Sequence, residues 1–191
     1  MIMRDGTKTK ESIERTSLRL FVEKGVAETT IRDIASAAGI AEGTMYRHYA
    51  SKEELAWSLF SRNFTTLSRE LDRLQKEQPR TREKIGAMIR CFCTLFDYDP
   101  ILFSYLCLHA LHGQIAKMTP DMPHAMEVLI KVIAGGMDRG EIPKKNPIVA
   151  ASMVMGIVLQ TATSKVYERF EESMTDLTDS LVEASWRVVG E

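Results

Sequence analysis

The sequence predicts an all-α protein of about nine helices, and three observations carry that reading. Apolar residues recur at helical spacing, as in Ile31, Ile34, Ala35 and Ala38 at i, i+3, i+4 and i+7. Capping and stopping residues stand at the segment ends: Thr30, Gly39, Ser51, Pro100, Asn146-Pro147. From residue 81 onward no stretch alternates as a half-buried strand would. With 191 residues, 45% of them hydrophobic, the chain can hold a small head and a larger body.

The first helix is expected over 9–24, where Ile13, Ser17, Leu20 and Phe21 form one face and Gly25 ends it. Thr30 caps the second, with Asp33 placed to favour its N-terminus. Gly39 follows Ala38, where the chain must reach a left-handed conformation without a Cβ clash. A short third helix then starts at about Ala41 and carries Thr44, Tyr46, Arg47 and His48. Small Ala35 allows a close crossing, and Ile40 and Met45 wedge between the pair, which is the pattern of a helix-turn-helix over about 30–49. Ser51-Lys52-Glu53-Glu54 reads as a capping box opening a fourth helix that runs to about Glu77, before Pro79.

Five further helices complete the pass, over about 81–96, 100–114, 119–139, 146–170 and 176–189. The sixth has proline in its first turn, and the eighth is opened by Asn146-Pro147.

The net charge of −1 is unevenly divided. Residues 1–52 carry nine Lys/Arg against seven Asp/Glu, a net of +2, and the rest of the chain carries the opposite sign. Such a head is far from the strongly basic proteins that coat nucleic acid without sequence preference. Cys91, Cys93 and Cys107 are odd in number, lack a CxxC spacing and stand in apolar surroundings, so reduced buried thiols are expected. The N-terminal MIMRDGTKTKES has no apolar core of a secretory signal. The longest apolar run, 148–159, is short for a bilayer span, so no membrane association and a cytoplasmic location are expected.

From Ile13 to Leu55 the chain resembles the DNA-binding domain of the TetR family of transcriptional regulators. The resemblance rests on Phe21, Gly25, Thr29-Thr30, Ile34-Ala35, Ala38-Gly39, Gly43-Thr44, Tyr46, His48-Tyr49 and Lys52-Glu53. It implies an N-terminal three-helix DNA-binding domain over 1–52 and a helical effector-binding and dimerisation domain over 53–191. It also implies a homodimer acting on a double-stranded operator and answering to a small hydrophobic effector. The DNA-binding candidates are Thr30, Arg32, Ala41, Glu42, Gly43, Thr44, Tyr46, Arg47, His48 and Lys52. Thr44, Tyr46, His48 and Lys52 suit phosphate oxygens, with Lys52 where family members commonly touch the backbone. Gly43 allows close approach, and Arg47 suits guanine or a phosphate. Tyr49 is read as a packed aromatic.

Two positions depart from the family pattern. Ala41 stands where a Ser or Thr cap is common, and Glu42 where a basic residue is frequent. Glu42 is either a cytosine-reading acceptor or a solvated charge at a helix start.

In the body, Met88, Phe92, Phe96, Phe103, Cys107, His109, Met122, Met126, Met155 and Gln160 are the candidate effector-pocket residues, with ordinary core packing as the plain alternative. His109 and His112 at i, i+3 lack a third metal ligand of suitable spacing. The eighth helix is apolar nearly all round and needs a second cover. Val149, Met153 and Gly156, with Leu177, Leu181 and Trp186 on the last helix, are the candidate dimer residues. No nucleophile–base pair, metal cluster or phosphate-binding glycine loop is recognisable, so no cofactor, metal or catalytic site is expected. A dimer governed by a protein partner is the other regulatory reading, and an enzyme the rival from another class.

Overall fold

The computed structural model describes residues 6–109 and 111–190. Its α-helices are α1 (Gly6–Lys24), α2 (Ile31–Ala37), α3 (Glu42–Met45), α4 (Lys52–Lys76), α5 (Thr81–Tyr98), α6 (Pro100–Phe103), α7 (Leu111–Gln114), α8 (Ala125–Asp138), α9 (Pro147–Val166) and α10 (Thr178–Gly190). A π-helical segment, Ser104–His109, follows α6, and a 3-10 turn, Ile115–Lys117, follows α7. No strand occurs among the described residues, as expected.

The chain divides into two compact units. One comprises residues 1–63 and 104–118; the other comprises 64–103 and 119–191. The first unit therefore reaches past the expected boundary at 52/53. The reason is burial: Leu55, Ala56, Leu59 and Phe60 of α4 are fully enclosed. Tyr105 of the π segment stacks on Phe21 at 5.9 Å and donates its hydroxyl to the Ala56 carbonyl at 2.7 Å.

Within the first unit, Ile13, Ser17, Leu20 and Phe21 form the buried face of α1, as the spacing requires. The α2–α3 turn is a Schellman motif: Ile40 N–H donates to Ala35 O and Gly39 N–H to Ser36 O, with Gly39 at φ 66°. Thr30 and Asp33 form a complete capping box, each side chain accepting the other's backbone N–H at 3.0 Å. At α4, Ser51 Oγ accepts Glu54 N–H at 3.0 Å, while Glu54 reaches back one residue further than expected, to Ala50 N–H at 2.7 Å.

The second unit is organised around α5, which packs on α6, α8, α9 and α10. Gly136 of α8 sits directly against Thr81 of α5, since a Cβ there would stand 2.5 Å from Thr81 Oγ1. Glu141, just past α8, accepts Thr81 N–H at 2.7 Å, and Arg139 donates both to Glu141 and to Thr81 Oγ1. The Thr81 backbone bond and Arg139 hold the Glu141 carboxyl at about 2.

Three expectations are corrected. Residues 119–124 are not helical: Pro123 disfavours helical backbone at Met122, and His124 caps the true start by accepting Met126 N–H at Nδ1. The stretch 100–114 is interrupted by the π segment, because Phe103 to Cys107 are five consecutive buried residues and no single helical face can bury five in a row. Helix α9 is 20 residues, long and apolar enough to cross a bilayer, so shortness is no argument against a span. Ala150, Ala151, Val154, Val158 and Ala162 instead seat α9 on its own unit, where it packs on α8 and α10.

Helix α9 stops by a Schellman motif whose left-handed residue is Glu168, at φ 53°. A non-glycine residue there costs about 1–2 kcal/mol, partly offset by the extra unfolded-state freedom of glycine. Glu168→Gly is therefore expected to stabilise by about 0.5–1 kcal/mol, raising the thermal midpoint by roughly 1–4 °C. An unchanged or lower midpoint would show that the Glu168 side chain repays the strain.

In the first unit Glu14 joins three elements. It accepts the Tyr49 hydroxyl at 2.6 Å and both arms of Arg62 at 3.0 and 2.7 Å. Burial works against the Glu14 charge, but Arg62, Tyr49 and Lys10 together hold its carboxyl below the ordinary value. A carboxyl lowered on folding stabilises above its unfolded value and loses that contribution as pH falls through the folded one. Glu14→Ala is expected to cost about 1–3 kcal/mol at neutral pH, by orphaning the Tyr49 hydroxyl. The gap from the parent should narrow below about pH 4 in urea titrations; a gap independent of pH would contradict the assignment.

Candidate nucleic-acid interface

The helix-turn-helix places one face outward. Met45, fully buried, and Tyr49, 5% exposed, anchor α3 and the turn after it. By helical phase Gly43 lies opposite Met45, flanked by Glu42 and Thr44. Tyr46, Arg47 and His48, expected on the helix, follow it in a turn closed by bonds from Arg47 N–H to Thr44 O and from His48 N–H to Met45 O. Accessibility agrees: Ala41, Glu42, Gly43, Tyr46 and Arg47 are exposed, Thr44 and His48 half-buried. Tyr46 shows 58% of its surface although it is aromatic. On α2, Thr30 and Arg32 are exposed, and the Thr30 oxygen is engaged in its cap. The structure thus brings nine of the ten candidates to the outer side of α2 and α3.

Lys52 behaves differently. Its ammonium donates to Ala27 O at 2.6 Å and Thr29 O at 2.8 Å, closing the loop between α1 and α2 onto the start of α4. Two of its three protons are spent inside the chain. Carbonyls left without helical partners after α1 explain the attraction.

Gly43 is the most informative position on this face. Its φ is not in the left-handed region, and no atom lies within 4 Å of where a Cβ would stand. Neither backbone geometry nor packing within the chain calls for glycine there.

The sequence did not single out the Glu14–Tyr49–Arg62 clasp, which fixes the turn after α3 to α1 and α4. Its signal was present only in part, as a tyrosine expected to pack.

The candidate effector residues are dispersed. Met88, Phe92, Phe96 and Phe103 are buried together in the second unit, with Phe103 edge-on to Phe92 at 6.3 Å and to Phe96 at 5.1 Å. Met122, Met126 and Met155 are half-buried and Gln160 exposed. Cys107 and His109 belong to the first unit, Cys107 buried and His109 exposed. The side chain of His112 lies outside the described residues. Burial pushes the Cys107 thiol up to about 12 and the Cys91 thiol to about 11, which keeps both protonated and unreactive. His124, which sequence reasoning passed over, stands edge-on to Phe64 at 5.3 Å, and burial lowers its tendency to take a proton. A groove of ≈ 800 Å³ between α5 and α10 is lined by Arg80, Arg82, Gly86, Arg90, Asp179 and Trp186 among others. Ion pairs from Arg82 to Glu183 at 2.5 Å and from Arg90 to Asp179 at 3.7 Å join its two walls.

Of the candidate dimer residues, Val149 and Met153 are 48% and 52% exposed and Gly156 is exposed beside them on α9. Leu177 is half-buried. Leu181, 6% exposed, packs inside its own unit, and Trp186 lies beneath Arg82 and against Gly190. Leu181 is thus buried and Trp186 half-buried within their own unit, while Ser180, Ala184 and Val188 are exposed on α10.

The comparisons with known proteins agree with this arrangement. Residues 13–59 match the model of bacterial regulatory proteins of the tetR family. The fatty acid metabolism regulator protein of Bacillus subtilis is 23% identical over 171 residues, covering 87% of this chain and 88% of that protein. The putative mycofactocin biosynthesis transcriptional regulator MftR of Mycobacterium tuberculosis is 27% identical over 191 residues, covering 95% and 89%. The structure of FadR from Bacillus subtilis in complex with stearoyl-CoA superposes with a TM-score of 0.77 over 92% of this chain and 97% of that one, at 22% identity. The helix-turn-helix and the family match together identify residues 13–59 as the DNA-binding segment of the tetR family of bacterial regulatory proteins, and the all-helical body shares its fold with the FadR structure.

Proposed function

We propose that this protein is a ligand-responsive transcriptional repressor that binds a palindromic operator as a homodimer and leaves it when a small hydrophobic effector binds. Residues 1–52 supply the DNA contacts, and 53–191 the effector site and the dimer. The protein works in the cytoplasm as a regulator, not an enzyme, as the regulatory relatives support. The observation that carries the DNA reading is the outward ridge of Gly43 and Arg47, with Gly43 opposite buried Met45. The ridge bears a glycine that nothing inside the chain requires.

The dimer reading rests on α9. Ile148, Val149 and Met153 form an exposed apolar face that no described residue covers. Gly156 on the same side has open space where a Cβ would stand, as close approach of a second α9 would need. A two-fold dimer presents two α3 helices to half-sites about one helical turn apart.

The effector reading draws on the buried Met and Phe residues of the second unit and on the relatives. Because the FadR that shares this fold was captured with stearoyl-CoA, long-chain acyl thioesters are the first class to try. A partner protein in place of a small molecule is the second reading, and the apolar α9 face favours it only if two copies do not meet there.

Selection of bound sequences from random duplex DNA tests the central reading. A two-fold symmetric consensus is expected; enrichment of no consensus would overturn it. On the selected site, Gly43→Ala should bind on the order of tenfold more weakly, a loss of ~1.4 kcal/mol, while its thermal midpoint is unchanged or higher. Undiminished affinity would show that no duplex approaches Gly43. In thermal melts, an acyl-CoA at 100 times its Kd should add about 2.7 kcal/mol of stability and release the operator. If no acyl-CoA or other lipophilic compound stabilises the protein, the partner reading replaces the effector reading.

A further inference from the structure

The geometry points to Glu42 as a specificity-determining residue: its carboxylate accepts a hydrogen bond from the exocyclic amine of cytosine in the major groove. This rests on the DNA-binding reading above and deepens it.

Glu42 is the first residue of α3, exposed, on the flank of the ridge formed by Gly43 and Arg47. Asp33, the other acid of the helix-turn-helix, is engaged within the chain, as are Glu14 and Glu54 of the helices that flank it. Glu14 binds Tyr49 and Arg62, Asp33 closes the α2 capping box and Glu54 takes Ala50 N–H. Among the described residues Glu42 makes no hydrogen bond or ion pair. It is thus an uncompensated negative charge on the surface that meets a polyanion.

An acid at a helix start ordinarily serves its own helix through the macrodipole. That service is small here, because α3 has four residues and so few aligned peptide dipoles. Nor does Glu42 cap anything: the N-cap is Ala41, with no side-chain cap hydrogen bond, and Thr44 N–H is taken by the Ala41 carbonyl. Facing DNA, a carboxylate is repelled by phosphates and has one compensating partner class, the base amines. It can only accept. In the major groove cytosine N4 and adenine N6 are the donors, and the pairing of Glu with cytosine N4 is the geometrically favoured one. Gly43 beside it removes the side chain that would hold the helix off the groove floor.

The test is binding-site selection from random duplexes with the parent, Glu42→Ala and Glu42→Gln, each checked for folding by its thermal midpoint. The parent should enrich C·G at one position in each half-site. Replacing that cytosine by thymine should weaken the parent roughly 5- to 150-fold, the range of a good side chain–base contact. Glu42→Ala should lose the preference at that position and keep the rest of the consensus. Glu42→Gln should shift it toward adenine, whose N6 and N7 suit an amide. An adenine in the parent consensus, lost in Glu42→Ala, would overturn the choice of cytosine. If Glu42→Ala selects the parent consensus and binds every duplex more tightly, Glu42 is only a repelling surface charge. Failure of all three proteins to enrich any sequence would instead overturn the DNA-binding reading. If Glu42→Ala does not fold, the Glu42→Gln shift decides, and an unchanged consensus overturns the inference.

Discussion

A half-buried carboxylate in α1 holds the outward face of the helix-turn-helix in place. Glu14 gathers a phenol from the turn after α3 and a guanidinium from α4, so three elements meet at one charge. The face offered by Glu42, Gly43, Tyr46 and Arg47 is carried by a helix of four residues and the turn that follows it, too short to hold an orientation by their own hydrogen bonds. Its direction comes from buried Met45, from buried Tyr49 and from the carboxylate that Tyr49 binds. The Gly39 turn and the Thr30–Asp33 cap set where α2 begins and ends. Lys52 closes the loop before it by occupying the Ala27 and Thr29 carbonyls. That outward surface is thus an exposed skin over a small set of inward hydrogen bonds.

The second unit solves a different problem. Its helices are held by apolar packing around α5, with the Thr81–Arg139–Glu141 group fixing the end of α8 against the start of α5. Small residues on the inner side of α9 allow close packing, while its outer side keeps Val149 and Met153 in water. One helix therefore serves both as core and as an apolar surface, and its nearly uniform hydrophobic composition reflects that double duty.

Much of this was legible in the sequence where residue type dictates backbone or burial. Gly39 and Asn146-Pro147 mark their turns and caps unambiguously, and the spacing of Ile13, Ser17, Leu20 and Phe21 identifies the buried face of α1. Other features leave no such mark. A lysine at a helix start looks the same whether it donates to a loop carbonyl or to a phosphate, so the inward bonds of Lys52 were hidden. Histidine is an uncommon cap, which is why α8 was expected to begin at residue 119 and not at Ala125. Leu181 and Trp186 have the right chemistry for an interface, but periodicity alone does not say which side of α10 meets α5. The pocket candidates share one composition, and composition does not distinguish Met88 and Phe92 in a packed core from the same residues around a ligand.

The π segment accounts for part of that dispersion. A π turn is equivalent to one residue inserted into an α-helix, and each α-helical residue advances the chain by about 100°. Beyond Phe103 the phase set by α6 is therefore lost, and an extrapolated α-helical wheel assigns later residues to the wrong side. Cys107 and His109, expected to join Phe103 around one pocket, fall beyond that offset, one buried in the first unit and the other in solvent. The side-chain register of residues 104–109 is a structural variable of its own, independent of hydrophobicity. A single-residue deletion at the start of that segment would re-aim the side chains that follow within it while leaving the composition almost unchanged.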